Sequence, residues 1–259
     1  MEDIRPLDLV LFRGSDLISW IIREVQYIEF KMDNYSHVGV VVDNNILPNI
    51  PQLKSGRKYI LESTLGEYIP DVLTGNIKFG VQIRDLEDVI RSYTLIPGSE
   101  VGYCRLKPYP LNVVDKMNEV IKEYADKFYE TNPIRLLACV FPSLRWLRLV
   151  EDYIFIEGHR ILSSIKAIDY NQNIDNISIK DAIRYVDNLS LFCSQLAVIV
   201  YQRLNLLPNT INPSDISPIQ MIQFDIFEPI RYIKLDDCYF MIPLNNNDIA
   251  ELVGVCKSI

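Results

Sequence analysis

The run His37-Val38-Gly39-Val40-Val41-Val42 constrains this chain more than any other stretch. Three consecutive β-branched valines disfavour a helix, and the absence of apolar/polar alternation means that neither face can meet water. Such a run is expected to be a buried strand. Asn44-Asn45 ends it as a turn. Further short strands are predicted at 9–12, 58–62, 81–84 and 101–106, with closing strands at 230–233 and 239–242. Helical spacing runs through 16–26, where Leu17, Ile18, Ile21, Ile22 and Val25 share a face and Ser15 can cap. A charged surface helix is expected over 112–129 and a strong apolar helix over 189–204. The segment 208–218, with Pro208, Pro213 and Pro218, reads as a structured turn region. Strands mixed with long helices, without βαβ regularity, predict an α+β fold.

The 259 residues are 49% hydrophobic and suffice for a sizeable core. A formal net charge of −8 argues against nucleic acid as a partner, because phosphate contacts need clustered Lys and Arg. The five cysteines are odd in number and lack C-x-x-C spacing, so neither a disulfide framework nor a zinc site is expected. No basic-then-apolar leader opens the sequence, and no run of 18 apolar residues occurs. An intracellular, cytoplasmic protein without a signal peptide is the expectation.

The chain has only two histidines, His37 and His159. His37 stands where a loop enters the buried strand, a position that can hold an imidazole rigidly beside a cleft. Cys193, in Phe192-Cys193-Ser194-Gln195-Leu196, falls in the first turn of the predicted apolar helix. Free backbone N–H groups and the helix dipole there favour a thiolate and can hold an oxyanion. Cys104, Cys139, Cys238 and Cys256 lie in or beside apolar runs and read as buried, unreactive side chains. Glu62 is expected to end the strand that follows His37, where it could orient an imidazole or simply be solvated. Tyr35 is the oxyanion candidate by position. No metal or cofactor is called for.

Four blocks in order, Leu7-Asp8-Leu9-Val10-Leu11-Phe12, Tyr35-Ser36-His37-Val38-Gly39, Ile60-Leu61-Glu62-Ser63 and Phe192-Cys193-Ser194-Gln195-Leu196, resemble those of the YiiX/YebB-like hydrolases. These are a circularly permuted branch of the NlpC-type papain-like superfamily, related to lecithin:retinol acyltransferase-like proteins and including poxviral members. Pro213-Ser214-Asp215 resembles the family's turn after the catalytic helix. The resemblance implies a single permuted papain-like domain over 1–259, with an antiparallel sheet and a catalytic helix. It implies a cysteine hydrolase that cleaves an amide or ester bond through a thioester, with Cys193 as nucleophile, His37 as base and Glu62 orienting the base. The substrate would be a peptide, an isopeptide or an acyl lipid. Leu7 stands where the family usually has glycine, and 132–188 is expected to be a helical insertion. Two alternatives stay open: an inactive papain-like binding module, and a membrane-peripheral acyl-binding protein that uses the apolar, arginine-bearing stretch 134–150.

Overall fold

The computed structural model describes residues 3–14, 19, 22–24, 26–27, 35–64, 69–129 and 190–233. The predicted insertion, the stretch 134–150, His159, the strand at 239–242 and Cys139, Cys238 and Cys256 lie outside the described residues. The fold is α+β, built on a six-stranded antiparallel sheet. Its strands are β1 (Leu9–Arg13), β2 (His37–Asp43), β3 (Lys58–Thr64), β4 (Gly80–Asp85), β5 (Glu100–Cys104) and β8 (Arg231–Tyr232), in the order β4-β3-β2-β1-β5-β8. A parallel pair of two-residue strands, β6 (Phe128–Tyr129) and β7 (Ser190–Leu191), stands apart.

Every residue of β2 is buried, as the valine run requires. Successive side chains go to opposite faces and join two separate cores. Val10, Phe12, Val41, Ile60, Val101 and Tyr103 meet Leu86, Val89, Ile90 and Tyr93 of α1 (Leu86–Thr94). Leu9, Leu11, Val38, Val40, Leu61 and Ile83 meet α2 (Val113–Tyr124) and α3 (Cys193–Arg203) on the other face. The region after α3 contains a 3-10 turn, Pro213–Asp215, and a short helix, α4 (Pro218–Met221), each with proline in its first turn.

The described residues of the predicted first helix, 19, 22–24 and 26–27, are helical. Gln26 ties this helix to the rest: its Nε2 donates to the Tyr35 carbonyl at 2.8 Å, and its Oε1 accepts from Ile219 N at 3.0 Å. Three boundaries differ from expectation. The helix predicted from 189 starts at Cys193, because Ser190–Leu191 pairs with Phe128–Tyr129 first. For the same reason the helix over 112–129 stops at Tyr124, and 128–129 is strand. Helix α1 follows β4 directly, with Asp85 as both last strand residue and N-cap, and was not anticipated.

Candidate functional site

The sheet parts at one end. Strands β2 and β3 are in register only from Asp43↔Lys58 to Val40↔Leu61. Beyond that point β2 stays with β1 as far as Phe12↔His37, while β3 stays with β4 as far as Thr64↔Gly80. The lead-in to α3 is fixed at this opening, where Ser63 Oγ donates to the Leu191 carbonyl at 2.6 Å.

His37 and Glu62 bridge the opening. His37 Nε2 and Glu62 Oε2 are 2.5 Å apart. Gly39 makes this approach feasible: a Cβ there would lie 2.5 Å from the Ile60 side chain and 3.1 Å from Glu62 Cβ. On the other side stands Cys193, which favours the charged imidazole more than any other neighbour does. The imidazole is also packed against the Phe12 ring, with centroids 5.7 Å apart, and Phe12 in turn meets Tyr93 of α1 at 4.5 Å.

Glu62 does not end its strand. Ser63 and Thr64 continue the ladder with Val81 and Gly80, and Glu62 is wholly buried in the strand interior. The alternative of a solvated terminus is therefore excluded. A second partner takes the other carboxylate oxygen: Arg84 Nε donates to Glu62 Oε1 at 2.7 Å, and Arg84 is itself wholly buried.

Burial works against charge on both members of the His37–Glu62 pair, and on each it is outweighed by their neighbours. For His37 the desolvation penalty is outweighed by Cys193 and then by Glu62, and its pKa is raised from 6.5 to about 10. For Glu62 desolvation is outweighed by Arg84 and His37, and its pKa is lowered from 4.5 to about 2.

Cys193 is the first residue of α3, after Phe192 in extended conformation at the N-cap. No side chain caps this helix, so its first-turn N–H groups are not spent on a capping oxygen. Leu196 N already donates to Phe192 O. Gln195, buried two residues on, donates from Nε2 to Ser214 Oγ at 3.1 Å and so ties α3 to the 213–215 turn.

Two other sequence candidates are placed elsewhere. The Tyr35 hydroxyl donates to Glu100 Oε1 at 2.9 Å, on β5, with β1 and β2 between it and β3. Its proton is given to Glu100 in this structure. Cys104 is buried in the core, and desolvation, then Asp8, pushes its thiol up to about 12. That suits an unreactive cysteine. Asp8, from the first sequence block, is a backbone clamp whose carboxylate accepts from Arg5 N at 2.8 Å and Leu106 N at 3.0 Å. Among the described residues, Arg84 is a site group that sequence reasoning passed over. Alternation in Val81-Gln82-Ile83-Arg84 puts Gln82 and Arg84 on one face, but only the β3–β4 register aims them at Glu62.

Compared with known proteins, the chain matches no family model and no curated sequence. Among the described residues no group of three or more His, Cys, Asp or Glu could hold a metal ion. Among the same residues no helix is long and apolar enough to cross a membrane.

Proposed function

We propose that the protein is a papain-type cysteine hydrolase of the circularly permuted kind, cleaving an amide or ester bond with Cys193 as nucleophile. The observation that carries this reading is an imidazole held between a thiol at a helix start and a buried carboxylate. His37 carries the proton that Cys193 gives up, so the sulfur reacts from a thiolate–imidazolium pair. The sulfur attacks the substrate carbonyl, and the first-turn N–H groups of α3 receive the charge that develops on oxygen. His37 then gives its proton to the departing amine or alcohol as the tetrahedral intermediate collapses to a thioester. Water, deprotonated by the same imidazole, hydrolyses the thioester and returns the free thiol. Glu62 holds the imidazole's orientation throughout. The chain order, base before acid before nucleophile, is the order of the permuted branch that the sequence blocks resemble.

Paired electrophilic probes, one peptide-like and one acyl-like, test the reading and its substrate class together. Cys193 should be the site modified, ahead of Cys104 and the other three thiols. Cys193→Ala and His37→Ala should each lower turnover by about a million-fold, and Glu62→Gln by a smaller factor, because the third group of such a triad is the least costly to lose. Labelling at another cysteine with Cys193 untouched would remove the nucleophile assignment. Labelling of Cys193 without turnover of any amide or ester would leave a binding module.

A further inference from the structure

We infer that Arg84 is a fourth, positioning residue of the site: its guanidinium fixes Glu62 as a carboxylate, and Glu62 in turn fixes the protonation and tilt of His37. The inference rests on the proposed hydrolase reading and deepens it.

Three observations lead to it. First, both oxygens of Glu62 are used, Oε2 by His37 at 2.5 Å and Oε1 by Arg84 at 2.7 Å. The carboxylate is thus held at two points and cannot rotate away from the imidazole. Second, the approach is built into the sheet. Arg84 faces Ile60 in the β3–β4 register and Glu62 faces Gln82, so Arg84 is the diagonal neighbour of Glu62 on the same face. Its side chain runs along the strand toward the site. Third, Glu62 and Arg84 are both wholly buried. A carboxylate without a cation in such a place would take up a proton, and a protonated Glu62 would no longer favour imidazolium. Arginine keeps its charge at any working pH, which lysine in a dry site does not. Stability alone gives no reason for the pair, since a buried ion pair is often no better than apolar side chains of the same size.

The charged and titratable neighbours of the relay can be named element by element. Strand β4 brings Arg84, β3 brings Glu62, β2 brings His37 and α3 brings Cys193. Strand β1 brings the neutral Phe12, and the buried face of α1 brings Tyr93 as its titratable group, stacked on Phe12.

The test follows the His37 imidazole by NMR as pH is varied, with His159→Gln to assign the chain's two histidines. The variants are Arg84→Met, Arg84→Lys, Glu62→Gln and the double change, each checked for folding by circular dichroism. In the unsubstituted chain His37 should stay protonated to well above neutral pH. Arg84→Met should lower that midpoint by at least about one pH unit, and Arg84→Lys by less. In a Glu62→Gln background Arg84→Met should add almost nothing, because Arg84 acts through Glu62. An unchanged midpoint in folded Arg84→Met overturns the inference, and so does an equal drop in the Glu62→Gln background. If Arg84→Met does not fold, Arg84→Lys decides: a midpoint identical to that of the unsubstituted chain overturns the inference. Hydrolysis of the probes is measured separately. A His37 midpoint that depends on Arg84 in a chain that hydrolyses nothing keeps the relay and removes the hydrolase. An independent midpoint in an active chain removes Arg84 alone.

Discussion

The smallest side chain near the site carries a large share of its geometry. Gly39 has an ordinary backbone, and what it supplies is space for Ile60 and for the approach of Glu62 to His37. Gly39→Ala should therefore destabilise the fold by about 1–3 kcal/mol, as overpacking in a tight core does. It should also lower kcat by more than the loss of folded protein explains, because the Glu62–His37 contact must lengthen. Urea midpoints together with turnover per folded molecule check this; unchanged turnover would show that Ile60 alone gives way. Leu7 is the opposite case. It stands where the resembled family has glycine and takes φ 71°, a left-handed conformation that costs a non-glycine residue about 1–2 kcal/mol. Its side chain is wholly buried, its N–H donates to Val41 O at 2.7 Å, and its carbonyl accepts from the Tyr201 hydroxyl at 3.0 Å. Those contacts offset the strain that glycine would avoid.

At the scale of elements, the strands were legible and their ends were not. A buried β-branched run declares itself locally, and β1 through β5 fall within a few residues of their expected places. Ends depend on partners. Glu62 looked terminal because Ser63 and Thr64 are polar, yet the β3–β4 ladder runs through both. Helix α1 was hidden because no turn signal separates it from β4: Asp85 closes the strand and accepts from Glu87 N and Asp88 N in one step. Asp85→Ala should accordingly cost about 1 kcal/mol of stability, the usual worth of an N-cap, and leave turnover unchanged. A loss of turnover larger than the loss of folded protein would mean that α1 has a part in the site beyond covering its sheet face. Of the candidate site, His37 and Cys193 could be read from position within an element. Arg84 could not, because its partner lies 22 residues away on a neighbouring strand and only pairing reveals it.

For the whole molecule, the buried charges tie global stability to pH. The folded chain keeps a proton on His37 that the unfolded chain releases above 6.5, so this contribution is complete below 6.5 and fades as pH rises through about 10. Glu62 has the opposite sense: its contribution is complete above 4.5 and fades as pH falls through about 2, because the unfolded carboxyl is protonated first. The two together place the plateau between 4.5 and 6.5. Urea unfolding at a series of pH values should show a shallower acid limb in Glu62→Gln than in the unsubstituted chain. Parallel acid limbs would mean that other carboxylates govern acid unfolding.

The opening between β2 and β3 also has a consequence in time. Three of the four groups gathered there lie within residues 37–84, and the fourth is Cys193. The contacts that seat its helix close very long loops, 128 residues from Ser63 to Leu191 and 194 from Leu7 to Tyr201. A ribosome adding about 5–20 residues per second makes strands β1 to β5 several seconds before it makes the sulfur. Throughout that interval the nascent chain has His37, Glu62 and Arg84 but not yet Cys193. On the proposed hydrolase reading, a chain that stops short of Cys193 lacks its nucleophile, and the site is complete only when α3 docks.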